Sequence, residues 1–212
     1  MLGKLSLRPW LTMWVRPRDT IRDIVRTNPK SQFFLLSAVY GFPMLLQLAQ
    51  NLSLGATMST ALILIVSLIL ATPLGALLIN AIAGLLYWTG GWIGGKAPFG
   101  HVRAAVAWSN VPNIVNLAIW LILTAHFGSA LYQRTFAEMT FVGPELALVF
   151  FGFLIQVVVS VWGFIMILKT LGEVQGFSAW KALLNILIPL FMVWIAFMVV
   201  MWLGYAFIPA KQ

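Results

Sequence analysis

Between Lys30 and Lys96 the chain runs for 65 residues without an Asp, Glu, Lys or Arg. No water-soluble fold carries such a run, whereas about 20 apolar residues suffice to cross the ~30 Å hydrocarbon core of a bilayer. The run accommodates two spans and a turn, with the break at the polar but uncharged Gln50-Asn51-Leu52-Ser53. Three more uncharged runs lie at 104–133, 146–168 and 182–210, of 30, 23 and 29 residues. The expected fold is therefore all-α, a polytopic membrane helical bundle. Its five transmembrane helices are expected near 33–50, 57–88, 104–127, 146–168 and 182–207 of a membrane domain over 31–212. The second is longer than a straight span needs, so Thr72-Pro73 is expected to kink or tilt it.

The basic residues test this count independently. Five spans place Lys4, Arg8, Arg16, Arg18, Arg22, Arg26, Lys30, Lys96, Arg103, Lys169 and Lys181 on one side, and only Arg134 and Lys211 on the other. Lysine and arginine accumulate on the cytoplasmic side of short loops, so the N-terminus is expected in the cytoplasm and the C-terminus across the membrane. A net charge of +8 would suggest nucleic acid in a soluble protein. Here the charges cluster at span ends, so the expected partners are anionic lipids and not nucleic acid. Residues 1–30 hold seven basic residues and no apolar stretch with a small-residue cleavage site, so no signal peptide is expected.

Within residues 1–30, Trp10 and Trp14 stand one helical turn apart, and Pro17 restarts the chain. Beyond it Ile21, Ile24 and Val25 oppose Arg18, Arg22 and Arg26. This pattern predicts an amphipathic interfacial helix, with Trp10 and Trp14 at headgroup level and the three arginines toward lipid phosphates or a protein partner.

No Asp, Glu, Lys or Arg falls in mid-span, which disfavours proton-coupled pumps and voltage sensors. The polar side chains left inside are Asn80, Asn110, Asn113, Asn116 and Gln156, with Ser160 and Asn185. Asn110, Asn113 and Asn116 recur every third residue around Pro112 and form a polar seam. Two readings of it stay open: hydrogen bonds that fix helix packing, or a neutral cavity for a lipid headgroup or small solute. Ala76, Asn80 and Gly84 form a small or polar stripe suited to close helix approach. Gly90, Gly91, Gly94 and Gly95 lack the strand and the Gly-Lys-Ser/Thr ending of a phosphate loop, and are expected to form a flexible interfacial turn held by Trp88 and Trp92. There is no cysteine, no metal-ligand spacing and no nucleophile or paired-carboxylate motif, so no enzyme, metal or cofactor is expected.

Several short segments in order resemble the Yip family of Ypt/Rab-interacting membrane proteins, and more closely its bacterial branch. They are Pro9-Trp10-Leu11-Thr12-Met13-Trp14, Pro17-Arg18-Asp19-Thr20-Ile21-Arg22, Thr27-Asn28-Pro29, the run Trp88 to Lys96, and Ala104 to Ser109 followed by Pro112. The resemblance implies five spans, a cytoplasmic N-terminus and a plasma-membrane location. Eukaryotic relatives bind Rab-type GTPases and shape or sort vesicles. Where they carry Asp-Leu-Tyr-Gly-Pro this chain has Ala38-Val39-Tyr40-Gly41-Phe42-Pro43, and the long N-terminal region is lacking, so a Rab-type partner is not expected. The expected role is non-enzymatic organisation of membrane or partner proteins, including other copies of the chain. A lipid or small-solute transporter or channel lined by the asparagines is the alternative.

Overall fold

The computed structural model describes residues 8–206. They form eight α-helices and no strand: α1 Arg8–Val15, α2 Pro17–Thr27, α3 Phe33–Asn51, α4 Thr60–Trp92, α5 Phe99–Trp108, α6 Asn113–Phe127, α7 Gly143–Gln175 and α8 Ala179–Ala206. Five segments are long and apolar enough to cross a membrane: Phe33–Asn51, Thr60–Trp92, Asn113–Tyr132, Gly143–Gln175 and Ala179–Leu203. Most of their large side chains are exposed, because lipid and not protein is their solvent.

Helix ends overrun the sequence-based limits where charges mark them. α7 extends beyond 146–168 to include Glu145, Lys169 and Glu173, since a charge ends the hydrocarbon region but not the hydrogen-bonded helix. α4 passes Pro73 without interruption and continues through Gly90 and Gly91 to Trp92.

The third span departs from the expected continuous helix over 104–127. The chain breaks at Ser109 to Pro112, between α5 and α6. Pro112 has no N–H to donate, and the turn closes instead through shorter bonds, Asn110 N–H to Ala107 and Asn113 N–H to Asn110. α5, ten residues and so about 15 Å long, cannot span a bilayer alone. It is buried in the bundle through Val102, Ala104, Ala105, Val106, Ala107 and Trp108, where a break in the ladder is shielded from lipid.

α3 and α4 make the tightest crossing. The α4 stripe that faces protein is Ser67, Ala71, Gly75, Ile79 and Ala83, one residue ahead of the expected Ala76, Asn80 and Gly84. Gly84 has open space beside it, whereas a Cβ on Gly75 would sit 2.0 Å from the Ser37 carbonyl oxygen. Backbone contact at that distance admits glycine alone.

One end of the bundle gathers α1, α2, the starts of α3, α5 and α8 and the ends of α4 and α7. We term it the basic end. The opposite end is knit by Gln50 donating to the Leu131 carbonyl at 2.9 Å, Gln133 donating to the Gly55 carbonyl at 3.3 Å, and Thr124 paired with Tyr132.

Candidate functional site

The amphipathic segment is two helices, since Arg16 leaves the helical conformation and Pro17 opens α2. Their apolar face turns to protein. Met13, Ile21 and Ile24 are buried in one core with Leu86, Ala97, Val102 and Leu171. Trp10 packs edge-on against buried Trp108 with ring centroids 5.7 Å apart, and its Nε1–H donates to Gln32. Trp14 is half-buried against the same core. Amphipathic spacing specifies an apolar medium but not which one, so the sequence could assign this face to lipid.

An ion pair completes the docking. Arg22 Nε donates to Glu173 at 2.7 Å, and its Nη1 lies 3.2 Å from Asp19. The hydrogen bond that Arg22 donates to Glu173 and that carboxylate's charge raise the Arg22 pKa above its ordinary value. Arg22 therefore serves the bundle, while Arg18 and Arg26 remain exposed beside Arg8 and Arg16. Arg8 and Thr12 of α1, Arg16 of the junction, and Asp19, Asp23 and Thr27 of α2 border a groove of about 440 Å³. The outer surface of this pair is thus polar and of mixed charge, with arginine in excess.

The five polar-seam residues do not converge. Asn80 donates to the Ala76 carbonyl of its own helix at 2.7 Å, and Asn110 to Val106 at 2.7 Å. Asn113 donates to Asn110 at 3.1 Å. Asn116 Oδ1 is buried without a partner, and the Gln156 backbone carbonyl accepts from Ser160. None of the five side chains bonds to a helix distant in sequence. Asn110 and Asn113 do border a groove of about 330 Å³ with Tyr40, Ile82, Ser160 and Gly163, at the α5–α6 break.

Buried polar bonding between distant helices lies instead at the basic end, in a cluster that sequence reasoning missed. Thr89 Oγ1 donates to Asn185 Oδ1 at 2.7 Å, and Asn185 Nδ2 donates to the Leu86 carbonyl at 3.1 Å. Gln175 Nε2 donates to the same carbonyl at 3.4 Å while its Oε1 accepts from Ala97 N–H at 3.4 Å. The glycine run makes room: a Cβ on Gly90 or Gly95 would lie 2.3 Å from the Gln175 amide. Gly94, at φ +86°, turns the chain, and Gly95 N–H closes on the Gly90 carbonyl at 2.8 Å. The expected flexible turn is a packed clasp, and Trp88 and Trp92 stand exposed outside it. The paired glycines and Asn185 were its visible signals; Gln175, past Lys169 and Glu173, lies outside the uncharged run that marks the span.

Among the described residues no group of three His, Asp or Glu could hold a metal ion. His101 and His126 lie on α5 and α6, and His126 stands 3.6 Å from Glu145. Comparison with curated proteins and with solved structures finds no match. A family model described as the Yip1 domain matches residues 11–204, which takes in α1 from Leu11 onward, all of α2 and all five apolar spans. The chain belongs to the Yip1 domain family of membrane proteins.

Proposed function

We propose that this integral membrane protein is a non-enzymatic organiser of membrane or partner proteins. Its working surface is the outer face of α1 and α2, on the cytoplasmic side of a bacterial plasma membrane. One observation carries the reading: the apolar face of the pair is consumed by the bundle and Arg22 by Glu173, which leaves Arg8, Arg16, Arg18 and Arg26 outward on a fixed support. Basic groups near an anionic bilayer contribute about 1 kcal/mol each, and the attraction decays within a Debye length of ~8 Å at physiological salt.

The full-length protein, reconstituted in giant vesicles containing fluorescent phosphatidylglycerol, is expected to enrich that lipid around itself. Changing Arg8, Arg16, Arg18 and Arg26 to Gln should reduce the enrichment severalfold, as should molar salt. Equal enrichment by the quadruple variant would remove the surface from the account.

A second reading, transport of a lipid or small polar solute, draws on the lateral groove at Asn110 and Asn113. It requires flux through reconstituted vesicles that Asn113→Leu reduces; unaltered flux in a well-folded variant argues for packing alone.

A further inference from the structure

Arg103 is a cation for which the described protein provides no counter-ion. It stands one turn into α5, about 6 Å along the axis from Phe99. Its guanidinium carbon lies 4.8 Å from the Phe33 ring centroid and 5.8 Å from that of Phe99. Tyr87 in turn packs edge-on against Phe99, with centroids 6.0 Å apart. The start of α3, the end of α4 and the start of α5 thereby supply one aromatic wall at the basic end.

Among the described residues no carboxylate lies within ion-pair distance of this guanidinium, and its Nε is buried without an acceptor. Asp19 and Glu173, acidic groups of the same end, are both engaged by Arg22. Leaving a half-buried cation without an anion is costly, and ring faces offset only part of that cost. The side chain is partly exposed, and its terminal nitrogens offer the planar pair of donors that matches two oxygens of a phosphate. Tyr87 and Phe34 are exposed on this rim, where aromatic side chains sit at headgroup level. Lys30, exposed, precedes Phe33 by three residues.

We infer that Arg103, clamped by Phe33 and Phe99, holds the phosphate of an anionic phospholipid at the edge of the bundle. The ligand chemistry is a phosphate oxyanion. The lipid form is favoured over free phosphate because the wall beside the cation is aromatic and continues into the exposed side chains of Phe34 and Tyr87. The site lies on different residues from the outer face of α1 and α2, so either can fail without the other.

The test is native mass spectrometry of the full chain in mild detergent, equilibrated with equal phosphatidylglycerol and phosphatidylcholine. The wild type is expected to retain about one phosphatidylglycerol, and Arg103→Gln to lower that fraction about tenfold, the scale of one charge-assisted contact. Arg103→Lys should restore part of it, since charge returns without the planar fork, and Phe33→Leu should weaken retention with the charge intact. If Arg103→Gln does not fold, Phe33→Leu and Arg103→Lys carry the test. Equal retention by the folded variants overturns the site. Millimolar inorganic phosphate that displaces the lipid and is itself retained overturns the assignment to lipid.

Discussion

Gly75→Ala is expected to force α3 from α4 and to cost about 3 kcal/mol, the upper end of the range for overpacked cores. The added Cβ would lie 2.0 Å from the Ser37 carbonyl oxygen and 2.8 Å from its carbon. Both are backbone atoms, so no rotamer relieves the clash. α3 must retreat by more than about 1 Å to restore van der Waals distance. The contact is reciprocal, since a Cβ on Gly41 would lie 2.1 Å from the Ala71 carbonyl oxygen. Gly84→Ala on the same helix meets nothing within 4 Å, and gains up to about 1 kcal/mol of helix propensity. Thermal unfolding in detergent, followed by size exclusion, should lower the midpoint for Gly75→Ala and leave or raise it for Gly84→Ala. Equal midpoints would mean that the crossing is looser than described.

Asn185→Leu is the second large effect, at about 1–3 kcal/mol. The side chain is fully buried, donates to Leu86 and accepts from Thr89. Leucine fills comparable volume but leaves Thr89 and the Leu86 carbonyl without this partner. Typical hydrogen bonds between membrane helices are worth about 0.6 kcal/mol; this residue exceeds that because two bonds fail together in a dry site. The loss should loosen α8 in particular. Beyond Pro189 every residue of α8 through Leu203 is exposed, so the helix is tied to α4 and α7 near its first turns. Protease sensitivity in the 176–189 region should rise in Asn185→Leu, and Gln175→Leu should not add in full, because both amides share the Leu86 carbonyl.

The spans were legible because bilayer thickness and the absence of charge are properties of the chain itself. The α5–α6 break at Pro112 was not expected within the span over 104–127, because whether a helix continues past a proline depends on what packs around it. α4 passes Pro73 and the third span does not pass Pro112. Reading the contact stripe of α4 one residue late, on Ala76 instead of Gly75, reflects the weak amphipathicity of a helix surrounded by lipid and by apolar protein alike. The asparagines drew attention as the scarce polar groups in the spans, yet Asn80 and Asn110 satisfy themselves on their own turns. Gln175 and Thr89, unremarkable in sequence, join distant helices because the glycines beside them admit a side chain to backbone depth. Trp10 and Ile21 show the remaining ambiguity: a pattern specifies the face to be hidden, and only the fold specifies from what.

The absence of cysteine makes one measurement direct: labelling by a membrane-impermeant maleimide at single cysteines replacing Arg18 or Ile21, in sealed vesicles of each orientation. The account predicts rapid labelling of Arg18→Cys from the cytoplasmic side alone, and protection of Ile21→Cys, fully buried three residues later, until the protein is denatured. Equal labelling of the two positions, or access to Arg18→Cys from the opposite side, would contradict a docked hairpin that presents its arginines to the cytoplasm.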